Sequence, residues 1–579
     1  MSRNATLHAV RAVNQYRRRD VVPYLALRYY LANVAARGQR WATDVAAPLV
    51  LQRSAQPYFT AFHFKERNKA GKVEYRSMHL PSANEALAEA ALLDACARSA
   101  AFKNPDNVFS YELATADATE GVFVHYFRGL RRRHEAIAAA CKAEPNAIVQ
   151  YSDIRRFYPS TAPELASKVW RRHAELGHLP RKMLDLGAKL ITDHDAVKPE
   201  GVPQVLTGPM LSHLLGNLVL RSIDEAMASG ARARYFRYVD DIVLVGSPEQ
   251  VKSTYQDVAA RLDDLGLKLH PEESEKHIVV SGRDWLEGEH DFRDSTRSTS
   301  WKTLVGGIKQ YLITWPEQAA SLRTALRDGG ARLPILDYQN AVRERAFLAR
   351  ISDLSKLPWF RGRVRARSVQ QLLSQVAYLR EAYHREAQAL IDLLATLKGY
   401  ERKRQIPKLR YRAGRLAYLA YPHALVALSE QLRGVPELLF QASVLHAVAT
   451  GEVDELLTLG TNAVQAAAQV LRAGGKAARV TNPIETAIQK QGFAILALNG
   501  VEVVGASVGN WDDDDFIRLA RHGASIECMN SKDPFLREFA CLHGLADKPR
   551  HPEYLETAFD EDEELSLDVM NDLRASGAS

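Results

Sequence analysis

Two adjacent aspartates inside an apolar stretch constrain this chain more than any other feature. The segment Tyr235-Phe-Arg-Tyr-Val-Asp-Asp-Ile-Val-Leu-Val245 sets Asp240 and Asp241 between two short β-branched and aromatic runs. Such runs predict strands, and the acids between them predict the tip of a hairpin. Like charges at this spacing repel, and desolvation penalises both. A divalent cation removes that cost; a solvated Asp-Asp turn is the simpler alternative. A further carboxylate comes earlier in the chain. Ala147-Ile-Val-Gln-Tyr-Ser-Asp153-Ile reads as a buried strand ending in Asp153, followed by Arg155-Arg156-Phe157-Tyr158-Pro159-Ser160. One carboxylate from a strand and two from a neighbouring hairpin supply oxygen ligands for two Mg²⁺ ions. Such ions, about 3.5–4 Å apart, clamp the attacking and leaving oxygens of an in-line phosphoryl transfer.

Tyr-Val-Asp-Asp in a hairpin, with an upstream Asp-x-x-x-Phe-Tyr-Pro-Ser, closely resembles a reverse transcriptase over roughly residues 75–280. The resemblance puts Asp153 in the first catalytic motif and Asp240 with Asp241 in the third. It implies that Asp153, Ile154, Asp240 and Asp241 bind two Mg²⁺ ions, with Mn²⁺ as a substitute. It also implies that Tyr158 packs under the sugar and excludes a 2′-hydroxyl, favouring dNTPs; a core aromatic is the plainer reading. The family's second motif, Gln-Gly-x-Pro-x-Ser-x-x-Leu-x-Asn, is matched by Gly208, Ser212, Leu215 and Asn217. Thr207 replaces the Gln, and Pro209 stands one position early. Gly208 would let backbone approach the nucleotide or template. Leu211, Leu214, Leu215 and Leu218 form the apolar stripe of a following helix.

Softer matches complete the pattern. Lys72 and Tyr75-Arg76-Ser-Met-His-Leu-Pro81 resemble the fingers segment, where Arg76 or Lys72 would meet the triphosphate. Leu265-Gly-Leu-Lys-Leu-His-Pro followed by Lys276 resembles the fourth motif, with the Lys near the departing pyrophosphate as a general acid. Leu304-Val-Gly-Gly-Ile308 is the nearest candidate for the fifth motif, an aromatic-Leu-Gly hairpin. No acidic quartet, Cys/His cluster or aspartic-protease signature follows the palm. A palm followed by about 260 helical residues resembles the bacterial abortive-infection and defence-associated reverse transcriptases, which carry a helical-repeat C-terminal domain. Lys408-Leu-Arg-Tyr-Arg-Ala-Gly-Arg-Leu-Ala-Tyr-Leu419 resembles a segment of that domain.

Beyond the palm, Val369–Leu397, Ala413–Leu432, Leu438–Val448 and Val464–Leu471 show helical apolar spacing, with breaks expected at Pro407, Pro422, Gly434–Pro436 and Gly474–Gly475. The net charge of +7 conceals an asymmetry. Residues 551–579 hold nine acids and one base, a net −8, which leaves +15 for residues 1–550. A basic body suggests a polyanionic partner. Two stretches would grip phosphates and stack bases: Arg361, Arg363 and Arg365 after Trp359-Phe360, and Arg402, Lys403, Arg404, Lys408, Arg410 and Arg412 beside Tyr400 and Tyr411. A solvated basic helix face is the alternative for both. The first 19 residues, with five Arg and no acid, read as a basic helix touching nucleic acid, or more faintly as a transit peptide. No run of apolar residues is long enough for a membrane span. Cys96, Cys141, Cys528 and Cys541 are scattered, so no disulfide framework is expected and a reducing cytosol fits. Cys528, Cys541 and His543 lack paired zinc-ligand spacing.

The expected fold is α+β: right-hand polymerase fingers and palm, then an all-α helical-repeat domain. The expected division is a basic extension and part of the fingers (1–75), fingers and palm (76–310), a thumb-like and α-repeat domain (311–550) and a disordered acidic tail (551–579). The expected function is RNA-directed DNA polymerase, a two-metal nucleotidyltransferase acting in antiphage defence in the bacterial cytoplasm. The resemblance leaves open priming from a protein tyrosine, or unusual templating. Expected partners are dNTPs, an RNA template (a non-coding RNA among the options) and the DNA product, with a second copy or an accessory defence protein also open. The alternative is a vestigial palm serving as a nucleic-acid-binding scaffold.

Overall fold

The computed structural model describes residues 3–16, 20–32, 40–54, 57–68, 71–115, 121–197, 205–274, 276–287, 299–339, 367–505, 514–523 and 525–545. Two helices, α1 (Arg3–Tyr16) and α2 (Val21–Ala32), precede an antiparallel hairpin of β1 (Tyr58–Arg67) and β2 (Val73–Pro81). Then come α3 (Ala83–Ala97), α4 (Tyr126–Ala143) and β3 (Ile148–Asp153), followed by the single turn α5 (Phe157–Ser160). Helices α6 (Pro163–Leu176), α7 (Arg181–Val197) and α8 (Met210–Gly230) lead to the hairpin β4 (Arg234–Tyr238) and β5 (Asp241–Gly246). Helix α9 (Pro248–Asp264) and the short β6 (Ile278–Ser281) complete the palm.

The palm sheet has the order β4-β5-β3-β6, every neighbour antiparallel. The central strand β5 is apolar from Ile242 to Val245 because both of its faces are covered. Ile242 and Leu244 pack with Val219, Ile223, Val251 and Val258 of α8 and α9. Val243 and Val245, pointing the other way, pack with Ile137 and Ala140 of α4. Helix α9 starts at a capping box in which Ser247 and Gln250 satisfy each other's main-chain N–H groups. Helix α8 starts differently. The Met210 N–H donates to Glu89 (2.8 Å), which also accepts from the Tyr16 hydroxyl (3.0 Å). Burial pushes the Glu89 carboxyl up to about 7.

Within the N-terminal basic helix, Arg11 is part of the scaffold. Arg11 is fully buried, paired with Asp94 (3.1 Å) and bonded to the Gly121 and Val122 carbonyls. Arg17, Arg18 and Arg19 lie outside the described residues.

The remaining helices of eight or more residues are α10 (Thr299–Thr314), α11 (Ala319–Asp328), α12 (Val369–Leu394), α13 (Gly399–Leu419), α14 (Pro422–Arg433), α15 (Leu439–Thr450), α16 (Thr461–Gly474), α17 (Ala487–Leu498), α18 (Asp515–His522) and α19 (Pro534–Gly544). Sequence neighbours pack as pairs: α12 on α13, α14 on α15, α16 on α17. A two-residue parallel pairing, Ala478–Arg479 with Val503–Val504, is joined by an isolated parallel bridge from Arg479 to Glu452. The fold is therefore α+β: fingers and palm followed by a helical domain.

Several expectations need correction. Leu304–Ile308 is not a hairpin but the middle of α10, whose Leu304, Val305 and Ile308 are fully buried. Pro407 does not end a helix; α13 runs through it, held by the buried stretch from Leu409 to Leu419. The boundary expected at 75/76 falls inside β2, and that at 310/311 falls inside α10. Two acids near α18 are structural. Asp514 caps α18 by accepting from the Phe516 and Ile517 N–H groups, and Asp515 accepts from Ser531. The tail at 551–579 lies outside the described residues.

The helical domain also reaches back to the fingers. The Phe64 N–H donates to Asn462 (2.9 Å), Gln491 donates to the Thr60 carbonyl (2.8 Å), and the Tyr75 hydroxyl donates to the Thr458 carbonyl (2.5 Å). Gly460, at φ +100°, lies so close that a Cβ there would sit 2.1 Å from the Phe62 carbonyl oxygen.

Candidate active site

The register places Asp153, the last residue of β3, directly opposite Asp241, the first residue of β5. Asp240 occupies the turn before it. The Ile154 N–H donates to the Asp240 carbonyl (3.0 Å), tying the strand end to the turn. Val239 takes the left-handed conformation, φ +57°, which a β-branched residue adopts only when held. Two groups hold it: the Ser110 hydroxyl accepts from its N–H (2.8 Å), and Arg237 donates to its carbonyl (2.8 Å).

Arg237 is itself anchored below the tip. It donates to both oxygens of Asp224 (2.8 and 2.7 Å) and to Asn217 (3.2 Å), with arginine and aspartate both fully buried. Tyr235 also donates to Asp224 (3.0 Å). Asn217, matched to the second motif, thus braces the hairpin through Arg237 and the Ser110 carbonyl (2.9 Å).

The three carboxylates converge: ligand atoms of Asp153, Asp240 and Asp241 all lie within 4.8 Å of one another. Among the described residues this is the only cluster of acids, histidines or cysteines so arranged. Burial, then the charges of Asp241 and Asp153, push the Asp240 carboxyl up to about 7. Burial raises Asp241 too, against the opposing Arg133 guanidinium (3.7 Å) and the Tyr151 hydroxyl, which donates to it. Asp153 is buried, and its Oδ1 has no hydrogen-bond partner while its Oδ2 accepts from the Lys276 ammonium. Crowded acids with a buried, unpartnered oxygen fit a divalent cation.

The other predicted residues fall in different places. Lys276 is at the cluster, on Asp153. Tyr158 lies beside α8, its hydroxyl 2.9 Å from His213 Nδ1, and His213 stacks flat on Tyr111 with ring centres 4.0 Å apart. Gly208, at φ +129°, does make a close backbone approach, but to the fingers: a Cβ there would sit 2.5 Å from the His79 carbonyl oxygen, and the His79 N–H donates to Thr207 (2.8 Å). Lys72 closes the β1–β2 turn through main-chain bonds with Asn68, and Arg76 is exposed on β2 opposite His63. Arg361, Arg363 and Arg365 lie outside the described residues.

The other basic stretch is largely internal to α13. Arg402 pairs with Glu437 (3.0 Å), Arg404 with Glu401 (3.0 Å), and the buried Arg412 with Glu386. Lys403 and Lys408 are half-buried, and Arg410 is exposed. Three of these six residues are thereby tied to carboxylates, one of them within α13 itself. Cys528 is buried against the Gly523 carbonyl while Cys541 is exposed, and the two make no metal cluster with His543.

Sequence reading missed a basic rim around the acids. His270 Nε2 stands 3.8 Å from Asp153, and Lys276, Arg155 and Lys65 all act electrostatically on its ring. Burial first, then these cations, lower the His270 pKa. Lys65 belongs to the fingers and sits at a bulge where the β1–β2 register shifts between Phe64 and Glu66. A bulge re-aims a side chain, and no residue pattern in β1 announces it.

No protein-family model and no curated protein matches this chain. Solved structures give faint likenesses. Apo telomerase from Candida tropicalis is 9% identical, with 68% of this chain and 70% of that chain covered, at a TM-score of 0.29. Telomerase from Candida albicans in complex with a fragment of telomeric RNA is 9% identical, covering 69% and 67%, at 0.25. A C-terminally truncated Candida tropicalis telomerase is 11% identical at 0.26; the match spans 40% of this chain and half of that one. The polymerase reading rests on the sheet and the carboxylates, not on these scores. No described helix is long and apolar enough to cross a membrane.

Proposed function

We propose that this chain is a reverse-transcriptase-type nucleotidyltransferase that extends DNA from dNTPs on an RNA template. The observation that carries the reading is the convergence of Asp153, Asp240 and Asp241 at one end of an antiparallel β4-β5-β3-β6 sheet. These aspartates would hold two Mg²⁺ ions, with the Ile154 main chain beside them. Bound there, such ions supply Lewis acidity and neutralise charge on the transferred phosphoryl group.

The chain's own residues do the rest. Tyr151 and Arg133 fix the orientation of Asp241. Arg237 and Ser110 keep Val239 in the conformation that presents Asp240. Lys276, Arg155 and Lys65, grouped around the His270 ring, would form a positive rim for the incoming triphosphate, and Lys276 would protonate the leaving pyrophosphate. Tyr158 acts as the sugar gate, with His213 fixing its hydroxyl.

The helical C-terminal half supports membership of the bacterial defence-associated group, with a cytoplasmic antiphage role. The test of that part is phage plating on cells expressing wild type or Asp240→Asn/Asp241→Asn; equal plaque counts with and without the wild-type protein would remove it. The test of the chemistry is labelled dNTP incorporation with Mg²⁺ by the same pair. Wild type incorporates and the variant does not; equal incorporation refutes the assignment.

A further inference from the structure

A separate group of cations lies on the helical domain. Arg327 ends α11, Arg332 follows it, Arg380 lies on α12, and Lys476 and Arg479 follow α16. All five direct their N–H groups at main-chain carbonyls where helices end. Arg380 donates to Gly329 and Leu419, each at 2.5 Å. Arg332 donates to Ala420 (2.7 Å), and Arg327 to Ala473 (2.7 Å). Lys476 donates to Ala449, and Arg479 to Thr450 (3.1 Å). The C-terminal ends of α11, α13, α15 and α16 meet here.

Each helix end carries roughly half a negative charge. Four ends offset about two of the five positive charges, so the surface keeps an excess of about three. Among the described residues none of the five forms an ion pair with a carboxylate. The charges acting on them are further cations: Arg323 on Arg327, Arg380 on Arg332, then Arg332 and Arg479 on Lys476. Burial first, then this repulsion, holds Arg332 down at about 10 and lowers Lys476. At one end of the row stand two exposed rings. Tyr421 lies under the Arg380 guanidinium (4.0 Å) and parallel to His423, with 5.9 Å between ring centres.

We propose that this row binds single-stranded nucleic acid, the cations taking successive phosphates while Tyr421 and His423 meet the bases. Aromatic rings beside a cation track suit a single strand, whose bases expose their faces; a duplex keeps them stacked inside. The proposal deepens the polymerase reading and rests on it only in naming the strand as template or product.

The experiment measures binding of a labelled, unstructured oligonucleotide across a salt series, in an Asp240→Asn background that leaves no turnover. The variants are Lys476→Gln/Arg479→Gln and Tyr421→Ala, with thermal unfolding as the control for folding. Each lost phosphate contact lowers the slope of log affinity against log salt by about 0.7, so the double variant loses about 1.4. Tyr421→Ala binds on the order of ten-fold more weakly. If the double variant unfolds, exposed Arg479→Gln alone is read, and a loss of about 0.7 is expected.

Unchanged slope and affinity overturn the proposal. So does equal weakening towards a duplex, which would remove any role for the rings. A variant that loses binding of a peptide of residues 551–579 but keeps the oligonucleotide shows an acidic protein segment as the occupant and also overturns it. Absence of dNTP incorporation by wild type, with the binding results as expected, would refute the polymerase reading while leaving this surface in place.

Discussion

Arg237→Met tests how the catalytic hairpin is held up. The substitution strands Asp224, fully buried, without its guanidinium. Removing one partner of a buried ion pair costs about 3–5 kcal/mol, most of it the price of an uncompensated charge. The Val239 carbonyl loses a donor in the same step. Asp224→Leu alone strands Arg237 and costs a similar amount. Arg237→Met/Asp224→Leu removes both charges, so most of the loss returns. A residue of about 1–3 kcal/mol remains, because the Tyr235 hydroxyl and the Val239 carbonyl no longer have these partners.

A chain of this size with several packed regions does not unfold in one step. The readout is therefore native-state hydrogen exchange of the β4 and β5 amides, which reports their opening free energy directly. Incorporation activity should fall in all three variants and should not recover in the double. Restoring stability does not restore the positive φ at Val239 that aims Asp240. A double variant no more stable than Arg237→Met would refute the charge argument. Recovery of activity along with stability would refute the role given to the tip.

Three further outcomes follow from the geometry. The Asp240 carboxyl is raised to about 7 from an ordinary value near 4, so its burial favours the protonated form. Metal-free protein therefore loses stability as pH rises from about 4 through 7, and Asp240→Asn flattens that decline in a melting-temperature series; an unchanged pH slope in the variant would contradict the crowding described. Gly460→Ala forces a Cβ into the Phe62 carbonyl at a positive φ. Faster proteolysis within β1 and β2, with the palm sheet unaffected, is the expected result, and an unaltered digest would show the contact to be dispensable. Tyr158→Ala should raise kcat/KM for rNTPs relative to dNTPs, and unaltered sugar preference would remove the gate role.

The acids and their strands were legible because the runs beside them are short and rich in apolar and aromatic residues, so a pair of acids at their ends stands out. Asp153, Asp240 and Asp241 needed no long-range information. The long helix after Gly208 was legible for a similar reason, since its apolar stripe is local. The supports were not. Arg237 and Asp224 are ordinary polar letters until β4 and α8 bring them together, and the motif match of Asn217 does not announce its bond to Arg237. Lys65 depends on a bulge, and Gly208 turned out to face the fingers strand, a partner 129 residues away in the chain. The basic run at 402–412 was legible as local density, but the pairing of Arg402 with Glu437 and of Arg412 with Glu386, both from other segments, was not.

The bond from the Phe64 N–H to Asn462 spans 398 residues of chain. A ribosome adding about 5–20 residues per second needs roughly 20–80 s to make that stretch. Until then the fingers hairpin leaves the ribosome with an unpaired β1 edge, open to other strands. The palm, complete by Ser281, is made well before its fingers can be fastened. A nascent or truncated chain that stops short of α16 would carry all three aspartates and still lack the fixed hairpin that brings Lys65 to their rim. The order of synthesis therefore delays the complete cluster of acids and cations until about four-fifths of the chain exists.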